Sequence, residues 1–225
     1  MTVTAIKSAA LGFLAVSILL VAMLSIGDHS PRLMNGGGRF IAEAAGSLLA
    51  YVVFALFVDR AIASRGAYLI ATFIGAVAGC VQIVHMSLES FGAHIGDRAD
   101  LTLLFMGASF LLWLSAAIAV GRRDRKVGQA ALAGGWSAMC TMILAITYGL
   151  ILTAVGYPEP SYVATWPEFT RSGWPDPQTF SIANSFDAVM SHFLIAPIVG
   201  IVLGTLGGWI AAACGKSPIA SSQDA

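Results

Sequence analysis

Charged side chains are scarce in this sequence. Only 11% of its 225 residues are Asp, Glu, Lys or Arg, whereas 57% are hydrophobic, and the mean hydropathy is +0.81. About one quarter of the residues of an ordinary soluble domain are charged. Because so few charges cannot cover a water-soluble surface, the composition predicts an integral membrane protein with the lipid bilayer as its surroundings.

An excess of basic charge, cysteine motifs and soluble-enzyme motifs are also missing. The formal net charge is zero and no basic patch carries interleaved aromatics, which excludes nucleic acid as an expected partner. The three cysteines, Cys80, Cys140 and Cys214, lie in or beside apolar runs without a CxxC or Cys/His spacing, which argues against a disulfide framework and a zinc site. The phosphate-binding and nucleophile-elbow motifs are absent. The sequence therefore leans away from an enzyme.

Long apolar runs are the main feature of the sequence. A membrane-spanning helix needs about 20 apolar residues, whereas a barrel strand has about ten with alternating polarity. Lys7 precedes the first run, which is longer than the apolar part of a signal peptide and is therefore predicted to be a span. We predict one all-α membrane domain over residues 1–225, a transmembrane bundle with six spans at about residues 8–26, 40–58, 67–87, 101–120, 130–155 and 188–214.

The Lys and Arg residues are distributed unequally between the two sides of the predicted bundle. Basic residues concentrate in cytoplasmic segments of membrane proteins. One side holds eight of them and the other holds four, Arg32, Arg39, Arg98 and Arg171. This bias predicts a protein of the inner (plasma) membrane with both termini in the cytoplasm. The eight are Lys7, Arg60, Arg65, Arg122, Arg123, Arg125, Lys126 and Lys216.

Ionisable residues inside the spans are the candidates for a functional site, because they are costly to place in a membrane. The five such residues are Glu43, His85, Glu89, Asp187 and His192. At 1.5 Å per helical residue, they all fall in one layer near the outer surface. Gln82, His85 and Glu89 share one face of the third helix. If these faces point inward, they form a polar, outward-open, ligand-binding pocket. The predicted ligand-binding residues are Glu43, Gln82, His85, Glu89, Asp187 and His192.

The long outer segment, residues 156–180, is rich in proline and aromatic residues. Loops of this length in compact domains are often lids or binding loops. The alternative is an interfacial segment whose Trp and Tyr rings lie at the level of the lipid headgroups. Both interpretations remain open from the sequence. The aromatic residues are Tyr157, Tyr162, Trp166, Phe169, Trp174 and Phe180.

Three functions are compatible with these features. The first is binding or translocation of a small ligand at the outer polar layer. The second is the role of an accessory or assembly subunit, in a homo-oligomer or a larger membrane complex. The third is an outer-face metal or haem protein, in which His85, Glu89 and His192 supply ligands, since imidazole with carboxylate suits zinc, iron or manganese and two histidines suit haem. The sequence leaves the cofactor unknown.

Glycine pairs predict where the helices approach each other. Gly75 and Gly79 in the third span, and Gly200 and Gly204 in the sixth, follow the small-xxx-small pattern. This spacing places both glycines on one helix face and lets a neighbouring backbone come close. We therefore expect tight helix contacts at these two positions.

Overall fold

The computed structural model describes residues 2–26, 30–91 and 98–214, and these parts of the chain form helices without strands. Six of the helices are long and apolar enough to cross a membrane, which confirms the predicted number of spans. Two short helices, α6 and α7, lie in the predicted outer segment. The helices are α1 (Val3–Ile26), α2 (Ser30–Ala61), α3 (Arg65–Phe91), α4 (Arg98–Asp124), α5 (Val127–Ala154), α6 (Pro160–Val163), α7 (Pro167–Ser172) and α8 (Pro177–Cys214).

Two of the long helices extend well beyond the apolar runs that predict them. Helix α2 begins at Ser30 rather than near residue 40, and α8 begins at Pro177 rather than near residue 188. The 38 residues of α8 span about 57 Å, against about 30 Å for the hydrocarbon core of a bilayer. Apolar length locates only the part of a helix that lipid covers, so the polar first turns of these helices escape detection.

Polar contacts join the helix ends on one side of the bundle, which we call the basic end. Lys7, at the start of α1, forms an ion pair with Asp59, at the end of α2, with 3.0 Å between Nζ and Oδ1. Ser64 donates a hydrogen bond of 2.9 Å to Asp124, at the end of α4. The start of α5 joins them, because the Ala63 amide donates to the side-chain oxygen of Gln129. The opposite side, which carries α6 and α7, is the cap end.

Helix α5 is the centre of the bundle. It is the most buried of the six long helices, and it packs against α1, α3, α4 and α8. Its tightest neighbour is α8, because a Cβ atom on Gly200 would lie 2.6 Å from the carbonyl oxygen of Gly134 and 2.7 Å from Cβ of Ala138. Gly204 lies equally close to Ala131. The expected glycine contact of the sixth span is therefore confirmed, with α5 as its partner.

A buried polar cluster ties α3, α4 and α5 together at mid-height. The Trp113 indole donates to the Thr141 hydroxyl at 2.9 Å, and that hydroxyl lies 3.0 Å from the carbonyl oxygen of Gly75. Gly75 allows this approach, since a Cβ atom there would collide with the carbonyl oxygen of Ser137. Interhelical hydrogen bonds in a membrane contribute about 0.6 kcal/mol each on average. The cluster thus fixes the helices to one another without leaving these buried groups unpaired.

We predict that Gly134→Ala destabilises the bundle by about 1–3 kcal/mol, because the added methyl group has to separate α5 from α8. Gly46→Ala is the matched control, since a Cβ atom added to this helical glycine would have no neighbouring atom within 4 Å. Replacing an unhindered helical glycine by alanine stabilises a helix by up to about 1 kcal/mol. Thermal unfolding in detergent measures both. Equal effects of the two substitutions would contradict the close contact.

Candidate functional site

A cavity of about 320 Å³ lies at the cap end, between α3, α4, α5 and α8. Ligand-binding cavities for small molecules start at about this size. The segment between α5 and α8 contributes to its rim through Tyr157, Pro158 and Trp166. The cavity therefore lies under the aromatic segment, within the layer that the polar residues indicate.

Four of the six predicted site residues line this one cavity. They are Gln82, His85 and Glu89 on α3 and His192 on α8. The three α3 residues are spaced so that they occupy one face of the helix, and this face looks toward α4 and the cavity. The geometry thus brings together polar groups that are more than one hundred residues apart in the chain.

His85 is held firmly in the cavity wall. It is only 6% exposed, and its ring stacks on Phe105 of α4 with 5.1 Å between centroids. Its Nε2 atom lies 3.4 Å from the hydroxyl of Thr102 and 3.6 Å from a carboxylate oxygen of Glu89. One imidazole nitrogen therefore faces both a hydroxyl and a carboxylate, which satisfies its polarity within the wall.

Gln82 forms the floor of the cavity together with α4. Its amide nitrogen donates to the hydroxyl of Ser109 at 2.8 Å and to the carbonyl oxygen of Phe105 at 3.2 Å. Gln82 is 6% exposed and Ser109 is completely buried. These bonds connect α3 and α4 just below His85, so they define how far the two walls stand apart.

His192 differs from His85 because its ring is exposed. Its Nδ1 atom lies 2.9 Å from the carbonyl oxygen of Ala188, one turn earlier in α8. A carbonyl oxygen only accepts, so Nδ1 carries a proton. In the neutral ring this leaves Nε2 as an acceptor. The bond to Ala188 therefore fixes the tautomer of the His192 ring.

Two predicted residues, Glu43 and Asp187, do not line the cavity. One carboxylate oxygen of Glu43 lies 3.3 Å from Nε of Arg39, one turn earlier in α2. Its other oxygen, Oε2, is buried and has no hydrogen-bond partner among the described residues. Asp187 is half-buried on α8. Common depth predicted both residues, but depth does not determine the direction in which a side chain points around the helix.

The wall formed by α5 is absent from the predicted set. Met142 and Gly149 line the cavity, and so does Thr153, which shares a hydrogen bond of 2.7 Å with Ser185 of α8. The predicted site residues are Asp, Glu, His or Gln, and α5 contributes none of these to the lining. The hydroxyl groups of α5 are a weaker indication of a site. Its small residues indicate only that helices approach each other closely.

Large buried side chains lie on the side of the cavity that faces the middle of the bundle. Beneath Gln82 and Ser109 lie Trp113 and Thr141, which are both completely buried and hydrogen-bonded to each other. Bulky buried side chains continue below them, among them Trp136. A smaller space of about 120 Å³ shares Met106, Met142 and His192 with the cavity and reaches Trp113.

The metal hypothesis receives no geometric support. Among the described residues, no group of three or more His, Cys, Asp or Glu side chains is placed to hold a metal ion. His85 and Glu89 are adjacent, and His192 lies elsewhere on the wall of the same cavity. A three-ligand site of His85, Glu89 and His192 would need side-chain rearrangement.

We predict a measurable coupling between Gln82 and Ser109. In a double-mutant cycle of Gln82→Leu and Ser109→Ala, followed by thermal unfolding, we expect a coupling free energy of about 0.5–1.5 kcal/mol. Gln82→Leu with Ser87→Ala is the control cycle, because the Ser87 hydroxyl bonds to Tyr148 instead. A coupling no larger than in the control cycle would mean that the two walls are not joined here.

No protein-family model, no curated protein and no solved structure matches this chain. The chemistry of the cap-end cavity is therefore the basis for a functional proposal. That chemistry combines two imidazoles, a carboxylate and several hydroxyls with an apolar surface that includes three methionine side chains, Met86, Met106 and Met142.

Proposed function

We propose that this protein is a multi-pass membrane protein that binds a small amphipathic ligand in the cap-end cavity. The observation that carries the proposal is the convergence of Gln82, His85, Glu89 and His192 on one cavity. Polar groups of separate helices meet in a membrane-spanning bundle at a cost, and a ligand that uses them offsets that cost.

The composition of the wall indicates the kind of ligand. Aliphatic and methionine side chains cover much of the cavity, and the polar groups are few. Small-molecule sites typically combine an apolar lining with a few polar groups that fix the orientation of the ligand. Methionine adapts its shape to irregular apolar groups. A molecule with an apolar body and one or two hydrogen-bonding groups fits this wall.

The charge of the wall disfavours an anion. Glu89 is the one carboxylate among the lining residues that the structure describes, and none of those residues is Lys or Arg. A neutral or basic ligand avoids repulsion from Glu89 and accepts or donates hydrogen bonds at the two histidines. We therefore favour a neutral or weakly basic amphiphile.

Binding is better supported than translocation. Trp113 and Thr141 are buried between the cavity and the basic end, and passage through the bundle would require their hydrogen bond to open. That opening would have to separate α4 from α5. A receptor, carrier or ligand-holding role at one membrane face needs no such step.

The orientation of the proposed site follows from the charge distribution. Arg60, Arg122 and Arg125 lie at the basic end, together with Lys7. The positive-inside rule favours the cytoplasm for that end. Under this proposal the cavity opens on the outer face of the inner (plasma) membrane, and both termini are cytoplasmic.

We predict that a small molecule copurifies with the wild-type protein from its own membranes in mild detergent. Glu89→Gln and Ala188→Phe are expected to reduce the retained amount at least about tenfold, because the first removes a polar contact and the second fills the cavity. Native mass spectrometry with extraction of the bound compound measures the retained amount.

Glu43→Gln is the matched control, because Glu43 is at a similar depth but outside the cavity. We expect it to retain the ligand. If Glu43→Gln and Glu89→Gln lose the compound equally, the cavity is not the site. Stoichiometric copurification of a second polypeptide without a small molecule would favour the accessory-subunit alternative, and a Soret band or bound metal would favour the third.

We predict that a fluorescent protein fused after Ala225 fluoresces in a bacterial host and that alkaline phosphatase fused there is inactive. Both outcomes follow from a cytoplasmic C-terminus. A reporter inserted between α6 and α7 is expected to behave in the opposite way. Active phosphatase at the C-terminus would place the cavity on the cytoplasmic face.

A further inference from the structure

A second cavity, of about 460 Å³, lies at the basic end of the bundle, far from the cap-end cavity. Its walls are the end of α4, the start of α5 and the end of α8. Two arginines, Arg122 and Arg125, are the charged residues in its described lining. The other lining residues are small or apolar: Gly121, Val127, Gly208, Ala211, Ala212 and Cys214.

The two arginines are available for an external partner. Both are exposed, and neither forms an ion pair or a side-chain hydrogen bond with another described residue. Their neighbour Arg123 behaves differently, because it pairs with Asp124 at 3.7 Å. The backbone of Arg125 has φ 52°, in the left-handed region, and it turns the chain from α4 into α5 within two residues. This turn holds both arginines at one cavity.

The start of α5 adds a second feature that favours an anion. Val127, its first residue, lines the cavity, and Lys126 at the N-cap makes no side-chain capping bond. The first amide groups of a helix lack intrahelical acceptors and carry about half a positive charge. Helix starts bind phosphate groups for this reason.

The ends of α4 and α8 oppose this effect, since each carries about half a negative charge. Two guanidinium groups contribute two full positive charges, so the cavity remains positive after these helix-end charges are subtracted. Arginine also binds phosphate oxygens in a bidentate manner. The balance of charges therefore favours an anion with several oxygen acceptors.

The position of Trp209 indicates where this cavity lies relative to the lipid. Its indole is 63% exposed, next in sequence to Gly208 of the cavity. Exposed tryptophans of membrane proteins concentrate at the level of the lipid headgroups. Basic pockets between membrane-spanning helices at that level bind anionic headgroups.

We propose that the cavity between α4, α5 and α8 is a binding site for the phosphate of an anionic phospholipid headgroup. Arg122 and Arg125 bind the phosphate oxygens, and the start of α5 supports the same charge. Gly208 and Ala211 let α8 pack closely against Val127 and Gly121 at the wall of this cavity. This site is independent of the proposed function of the cap-end cavity.

The test uses the full-length protein in nanodiscs of phosphatidylcholine with increasing fractions of cardiolipin, at fixed salt. Bound lipid is counted by native mass spectrometry, and the shift in melting temperature is recorded in parallel. We expect Arg122→Gln to weaken cardiolipin binding about fivefold and Arg122→Gln with Arg125→Gln about 25-fold, given about 1 kcal/mol for each basic group near a membrane.

Arg60→Gln is the matched control. Arg60 is likewise in the last turn of its helix, at the same end of the bundle, but it does not line the cavity. We expect it to keep wild-type lipid binding. Equal losses with Arg60→Gln and Arg122→Gln would overturn the proposal in favour of general surface attraction, and so would equal lipid counts in all four proteins. Both arginines are exposed, and the melting temperature in pure phosphatidylcholine verifies that each variant is folded.

Titration of inorganic phosphate in pure phosphatidylcholine nanodiscs distinguishes a lipid headgroup from free phosphate as the bound ligand. A headgroup site predicts no shift in melting temperature at millimolar phosphate and a shift with cardiolipin that the double variant loses. If phosphate alone raises the melting temperature of the wild type but not of the double variant, and cardiolipin has no effect, the lipid assignment is wrong and the ligand is a free phosphate.

Discussion

The contact between α5 and α8 is the constraint on which both cavities depend. The backbones approach so closely at Gly134, Gly200 and Gly204 that no Cβ atom fits between them. A helix in lipid satisfies its own backbone hydrogen bonds, and close packing of small residues then replaces the hydrophobic effect as the force between helices. The close approach continues to Gly208, where an added Cβ atom would lie 2.9 Å from Cα of Val127, and both residues line the basic-end cavity. The cap-end cavity lies beside the opposite half of α5, from Met142 to Thr153.

The two ends carry different chemistry because the chain distributes its charge unequally. At the cap end, the polar lining consists of imidazoles, amides, hydroxyls and Glu89, without Lys or Arg among the described residues. At the basic end, Arg122 and Arg125 face a wall of small side chains. The first arrangement suits a ligand that is recognised by hydrogen bonds, whereas the second suits a phosphate. Under the two proposals, the ligands at the two ends therefore differ in charge.

The sequence predicts the helices better than it predicts their neighbours. Six apolar runs suffice to count the long helices, because a length of about 20 apolar residues has no other good interpretation. Depth along each helix also follows from counting, and it brings His85, Glu89 and His192 to one level. The direction in which a side chain points around the helix axis does not follow from counting residues. Glu43 pairs with Arg39 on its own helix, and Asp187 lies on another face of α8, since packing with particular neighbours decides which face turns inward. The apolar wall of α5 carries no ionisable residue at all, so only the tertiary structure identifies it.

The two histidines of the cap-end cavity have unequal roles in the proposed binding. His85 is buried and stacks on Phe105, and its Nε2 atom already faces Thr102 and Glu89 within the wall. His192 is exposed, and its bond to the Ala188 carbonyl fixes the proton on Nδ1. In the neutral ring, Nε2 then offers a lone pair with a defined direction. A donor group on a ligand, such as a hydroxyl or an ammonium, matches that lone pair. In the proposed binding mode, His192 therefore presents an oriented acceptor beside a methionine-lined surface.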